Sequence, residues 1–327
     1  MRLGRQLAPL GAFAVLALVV LVLPSFVSAF RAQQLAYVAI YLTALIGLNV
    51  LTGYTGQISL GHGAFMAVGG YTTAILMSDY GVKDVWTIPI AALLTGATGF
   101  LFGLPALRLS GLYLALATFA IAVSAPAVIK RFEGFTGGGS GINLFGTPEL
   151  TASLTPVEIL GRELVFNDWL YYLAWTVALV GYVLAWLLLR GRTGLAFRAV
   201  RDSETAAQSS GVSLPRYKTL AFGVSAAYAG TAGSLFAIAT TFVNPDTFPI
   251  TLSILLLVGV VVGGLGSLTG LIAGAAFIQF LPEWSQQVSK SPGAPTVVSG
   301  LLLIALMFVL PMGVAGLVGR LRTLTKR

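Results

Sequence analysis

Leu51 to Gly63 reads LTGYTGQISLGHG and carries the strongest local signal in the chain. Its candidate functional residues are Gly53, Tyr54, Thr55, Gly56, Gln57, Ser59, Gly61, His62 and Gly63. Glycine opens backbone conformations closed to other residues, and hydroxyl and amide side chains both donate and accept hydrogen bonds. Set inside an otherwise apolar run, such a segment leaves peptide groups in need of partners. Irregular backbone survives at membrane depth only when it is buried in protein or lines a water-filled cavity. Two readings stay open: a discontinuous segment along the pathway of a polar solute, and close packing of small residues between helices. His62 is the only histidine, and no Asp, Glu or Cys stands near it in sequence. A hydrogen-bonded structural role therefore outweighs a metal site or a proton relay.

A second cluster, VGGLGSLTG from Val262 to Gly270, offers Gly263, Gly264, Gly266 and Gly270 for tight helix packing and a sharp turn. A third signal lies in the basic stretch 190–216. Ser203 can cap a short helix from Glu204 to Ser210, and Gly211 stands where a left-handed residue would end it. A basic loop beside a membrane commonly reflects charge asymmetry or contact with anionic lipid; a well-punctuated short helix adds docking of a partner. The glycines of Thr136–Gly141 are not followed by Gly-Lys-Ser/Thr, so no phosphate-binding loop is present. No carboxylate falls in the middle of an apolar run, which disfavours proton coupling. No catalytic constellation can be assembled, so the chain reads as neither an enzyme nor a cofactor protein. Without cysteine, thiolate metal sites and disulfides are excluded, and the redox compartment stays unreadable.

The elements that position these residues follow from composition. The 327 residues are 57% hydrophobic and 9% charged, too few polar side chains to cover a soluble domain. The net charge of +8 therefore points to membrane topology and lipid, not to nucleic acid. The fold class is all-α: a single polytopic transmembrane domain over 1–327. Runs long enough to cross the bilayer are Leu10–Phe30, Leu35–Thr52, Ile58–Ser78, Trp86–Leu107, Leu112–Ile129, Trp169–Leu189, Tyr217–Val243 and Thr296–Val318. The first follows Arg2 and Arg5 and precedes a signal-peptidase-like Val27-Ser28-Ala29, but its length reads better as a span. Phe248–Pro282 is too long for one crossing and either crosses twice or is re-entrant at its glycines. With ten spans and a cytoplasmic amino terminus, thirteen of the nineteen basic residues lie inside, as charge bias demands. Both termini are then cytoplasmic, 131–168 is an extracytoplasmic loop and 190–216 a cytoplasmic one.

Four stretches resemble the membrane permeases of branched-chain amino acid ABC importers, the LivM-like branch. They are LNVLTGYTGQISLGHGAFMAVGGY (48–71), TGGGSGI (136–142), GLAFRAVRDSETAAQSSG (194–211) and VVVGGLGSLTGLIAGAAF (260–277). The resemblance implies a bacterial plasma-membrane complex of two related permeases, two cytoplasmic ABC ATPases that bind the ATP, and an extracytoplasmic solute-binding protein. It also implies an ATPase-coupling helix at Glu204, Ala206, Ala207 and Gly211, followed by Leu214 and Pro215. The spacing Glu204-Thr205-Ala206-Ala207 departs from the family's usual Glu-Ala-Ala and leaves the helix register open. A permease for urea or short amides shares the glycine-rich stretches, and an ion-coupled carrier acting alone is the other alternative. The ten-span topology predicts that a thiol introduced at Lys326 of this cysteine-free chain reacts only with reagents reaching the cytoplasmic face; reaction from outside would refute it.

Overall fold

The computed structural model describes residues 27–109, 111–145, 166–288 and isolated positions from 297 to 316. The predicted spans Leu10–Phe30 and Thr296–Val318 lie for the most part outside the described residues. Within them the apolar runs form helices, because a helix satisfies its own backbone where no water can. In chain order these are α1 (Ala29–Leu48), continued by a π-helical stretch (Asn49–Tyr54), α2 (His62–Ser78), α3 (Asp84–Ala106), α4 (Leu112–Arg131) and the short α5 (Glu133–Thr136). After strand β1 (Ile142–Asn143) come α6 (Phe166–Arg190), α7 (Arg192–Asp202), α8 (Glu204–Ser209) and α9 (Leu214–Thr240). Strand β2 (Phe242–Val243) and a 3₁₀ turn (Pro245–Thr247) lead to α10 (Ile250–Gly263) and α11 (Leu271–Val288). Six of the helical segments among the described residues are long and apolar enough to cross a membrane.

Among the described residues, two span starts shift furthest from the sequence expectation. The span predicted from Ile58 starts as a helix only at His62, because Gly56 takes φ +72 and 56–61 leave the helical path. The span predicted from Leu35 begins instead at Ala29, where Ser28 caps it by accepting from the Arg31 amide. The basic stretch after Arg190 holds one helix more than predicted: α7 precedes the capping Ser203 and buries Phe197 and Val200.

The helices are held by close approach. α9 packs on α3, α2 and α1, and it does so through small residues. A Cβ at Gly69 or Gly233 would strike the backbone of Gly230 or Met66 respectively, and one at Gly103 would meet Thr219 and Phe222. Without side chains at these points the backbones approach to distances that a lipid environment favours through packing alone. α1 and its π-helical continuation occupy the middle and are mostly buried, whereas α4 is mostly exposed and stands at the periphery.

At the end of the molecule that carries 131–145, β1 pairs antiparallel with β2, Ile142 opposite Val243 and Asn143 opposite Phe242. The glycines of Thr136–Gly141 permit this: Gly137, Gly138 and Gly141 all take positive φ, and Gly141 presses on Val243 and Asn244. Replacing Gly69 by valine should lower the thermal unfolding midpoint in detergent, reflecting a loss of roughly 1–3 kcal/mol from overpacking. Gly134→Ala, which faces open space, should leave it unchanged.

Candidate functional site

The site grows from the point where α1 runs out. After Leu48 the helix loosens into a π-helical stretch, and from Gly56 to Gly61 the chain is irregular before α2 begins. Burial alternates through this break: Thr55, Gln57, Ser59 and Gly61 are buried, whereas Gly56 and Ile58 are exposed and Leu60 is half-buried. Its polar side chains therefore turn into the protein, and its apolar ones turn out.

Each inward group has a partner. Thr55 donates to the Leu51 carbonyl, Thr52 to the Gln57 carbonyl at 3.2 Å, and the Gln57 side-chain Nε2 to Thr55 Oγ1 at 3.2 Å. Ser59 Oγ accepts from the Gly61 amide. His62 Nε2 lies 2.9 Å from the Ala44 carbonyl of α1, fully buried, which is the structural role its isolation in sequence predicts. Other elements take two of the backbone donors: Thr118 Oγ1 on α4 accepts from the Leu60 amide at 2.9 Å, and Ser253 Oγ on α10 accepts from the Gly63 amide at 2.8 Å. Among the described residues no buried side-chain polar atom from 49 to 63 is left unpaired. Beside Thr118, an apolar cavity of about 100 Å³ separates α4 from Phe65 on α2, Phe102 on α3 and Phe222 on α9.

The two glycine clusters, distant in sequence, meet here. α10 and α11 form a hairpin: Gly263 faces Gly270 backbone to backbone, and Gly264 and Gly266 turn the chain at φ +109 and +76. Asn49, fully buried, spans the gap like a substitute peptide group. Its Oδ1 accepts from the Gly266 amide at 2.9 Å and its Nδ2 donates to the Ser267 carbonyl at 3.1 Å. A Cβ at Gly53 would lie 2.6 Å from the Gly266 amide, so both glycines are needed for the contact.

The elbow between α7 and α9 is built as its punctuation predicts. Ser203 accepts from the Ala206 amide at 3.3 Å, α8 ends after Ser209, and Gly211 takes φ +83. Ala206 is exposed and Ala207 buried. Leu214 and Pro215 open α9, where proline is tolerated in the first turn. Glu204 does not project freely: its carboxylate pairs with Lys218 Nζ at 2.6 Å, the lysine side chain 6% and the glutamate 45% exposed.

Asn49, Thr118, Arg201, Lys218 and Ser253 were not singled out from sequence. Asn49 alone carried a visible signal there, as an amide inside an apolar run; the others are ordinary until the fold shows what they touch.

These features define a class: an all-α polytopic membrane protein with an interrupted helix stitched to a helical hairpin. Residues 30–310 match the family described as branched-chain amino acid transport system / permease component, and the chain belongs to that family. It is 35% identical, over 84% of its length and 67% of the relative's, to the high-affinity branched-chain amino acid transport system permease protein LivM of Escherichia coli strain K12. The LivM of Salmonella typhimurium strain LT2 matches to the same extent. The permease protein LivH of that strain is 23% identical over 84% of this chain and 91% of its own. No solved structure matches. The family is one of transport permeases, not of catalytic enzymes.

Glu204→Lys should set two cations against each other beside the buried Lys218 stem. A loss of roughly 1–3 kcal/mol is expected, below the fully buried range because Glu204 is 45% exposed. The charge swap Glu204→Lys/Lys218→Glu should recover part of it in thermal unfolding; no recovery would mean the pair does not hold α8 to α9.

Proposed function

We propose that the chain is the permease subunit of an ATP-driven importer that moves leucine-, isoleucine- and valine-type amino acids across the bacterial plasma membrane by alternating access. The observation that carries this reading is coverage: the family match over 30–310 takes in both glycine clusters and the cytoplasmic elbow together. The relatives named above are branched-chain amino acid permeases, which favours that substrate class over urea or short amides.

In this reading the chain crosses the membrane ten times, with both termini cytoplasmic. The hairpin α10–α11 supplies two of the crossings, although α10, at 14 residues, is only about 21 Å long at 1.5 Å per residue. An extracytoplasmic solute-binding protein delivers its cargo to the end of the molecule formed by 131–145 and 241–247. Two ABC ATPases supply the energy, and one of them docks on α8, where Ala206 and the neighbouring polar residues are exposed. A homologous second permease completes the pathway. Within this chain the pathway wall is the outward side of the break, Gly56, Ile58 and Leu60 with half-exposed Tyr54. Thr55, Gln57, Ser59 and His62 hold that wall in shape from behind. Because these groups already have partners, the break need not recruit water to stay folded, which is what a segment that alternates between two exposures requires.

The test is reconstitution of the whole complex in liposomes with its binding protein. ATP inside the cytoplasmic compartment should drive accumulation of labelled leucine, isoleucine or valine, and liposomes holding this chain alone should accumulate none. Uptake of urea in place of leucine would replace the substrate assignment, and uphill transport by the chain alone would replace the mechanism with ion coupling.

A further inference from the structure

Arg201 ends the last full turn of α7, two residues before the Ser203 cap of α8, and its guanidinium reaches back to the break. Nη1 donates to the Gly53 carbonyl at 2.6 Å. The room for it is made by glycine. A Cβ at Gly266 would lie 2.9 Å from Nη1, and a Cβ at Gly56 would lie 3.3 Å from Cγ. The arginine is thus clasped between the break and the α10–α11 turn, beside the Asn49 bridge that joins the same two segments.

Gly53 belongs to the final turn of a helical run that starts at Ala29. The last carbonyls of a helix have no partner within it and carry the negative end of its dipole. A guanidinium is suited to that position, since it is always charged and offers several donors in a fixed plane. Removing it leaves a carbonyl uncapped at the place where the chain departs from the helical path.

We propose that Arg201 is a positioning residue that latches the inner end of the break to the cytoplasmic elbow, so that movement of α8 is passed to residues 53–61 through withdrawal of this one side chain. The inference rests on the docking of an ATPase at α8 proposed above. The connection is short: Arg201, Asp202 and Ser203 are consecutive, and Glu204 is anchored to α9 by Lys218. A pull on α8 therefore has two routes, one into α9 and one through Arg201 into the break.

The test uses the full chain in liposomes, with a spin label on Ile58→Cys. The chain has no cysteine of its own, and Ile58 is 42% exposed on the outward side of the break. Arg201→Ala should raise the mobile fraction of the label about fivefold, with Arg201→Lys close to the parent and Arg201→Gln between them. In the assembled transporter the same series should lower solute moved per ATP hydrolysed by up to about tenfold, in the same order. A flat mobility series overturns the latch whatever solute the complex carries. A graded series in a complex that fails to move branched-chain amino acids leaves the latch standing and overturns the substrate assignment.

Discussion

A peptide group that leaves helical geometry in hydrocarbon has no water to turn to, so any break in a membrane helix must be supplied with partners by the protein itself. That requirement organises the molecule around residues 49–63. The non-helical stretch from Gly56 to Gly61 is tolerable because α4 brings Thr118 to the Leu60 amide, α10 brings Ser253 to the Gly63 amide, and α1 offers the Ala44 carbonyl to His62. The helices on either side are thereby recruited as scaffolding for a segment that cannot stand alone.

Close packing is the second half of the same arrangement. Hydrogen-bond partners can reach the break only if the helices carrying them come near, and in lipid no hydrophobic force draws helices together. Small residues do that work instead, at Gly69 against Gly230, at Gly233 against Met66 and at Gly263 against Gly270. The outcome is uneven. α1 and α9 are deeply packed, while α4 touches its neighbours lightly and an apolar cavity opens behind it. An element held by few contacts is one that can move at little cost, and α4 bears directly on the break through Thr118.

Charge is used at both ends, with Lys130 paired to Asp246 at 3.8 Å and Arg31 to Glu283 at 3.7 Å away from the elbow. The basic elbow between α6 and α9 commits four of its cations to specific partners, Lys218 to Glu204, Arg201 to Gly53, Arg198 to the Leu189 carbonyl and Arg190 to the Trp186 ring. The first is an ion pair whose lysine is nearly dry, so its loss would leave a charge without compensation. The second is a charge-assisted bond to a helix end. Together they make the elbow a rigid extension of the transmembrane body, not a loop laid over its surface, which is the property an element needs if force applied to it is to reach the membrane interior.

The sequence by itself determined the class of molecule, because a chain with 9% charged residues can only present its surface to lipid. It also determined the local devices that depend on a few adjacent residues: the Ser203 cap, the left-handed Gly211, and the need for the Gly53–Gly63 backbone to be enclosed. Only the tertiary structure decided which way that segment faces. A linear reading does not tell the faces of Gln57, Ile58 and Ser59 apart, whereas in the fold Gln57 and Ser59 are buried and Ile58 is exposed. The meeting of the two glycine clusters was equally beyond the sequence, since Asn49 and Gly266 are separated by more than two hundred residues and nothing local marks them as neighbours. Helix periodicity and caps are set by interactions within a turn or two of chain. Contacts such as Arg201 to Gly53 exist only once several helices have fixed the depth and rotation of one another.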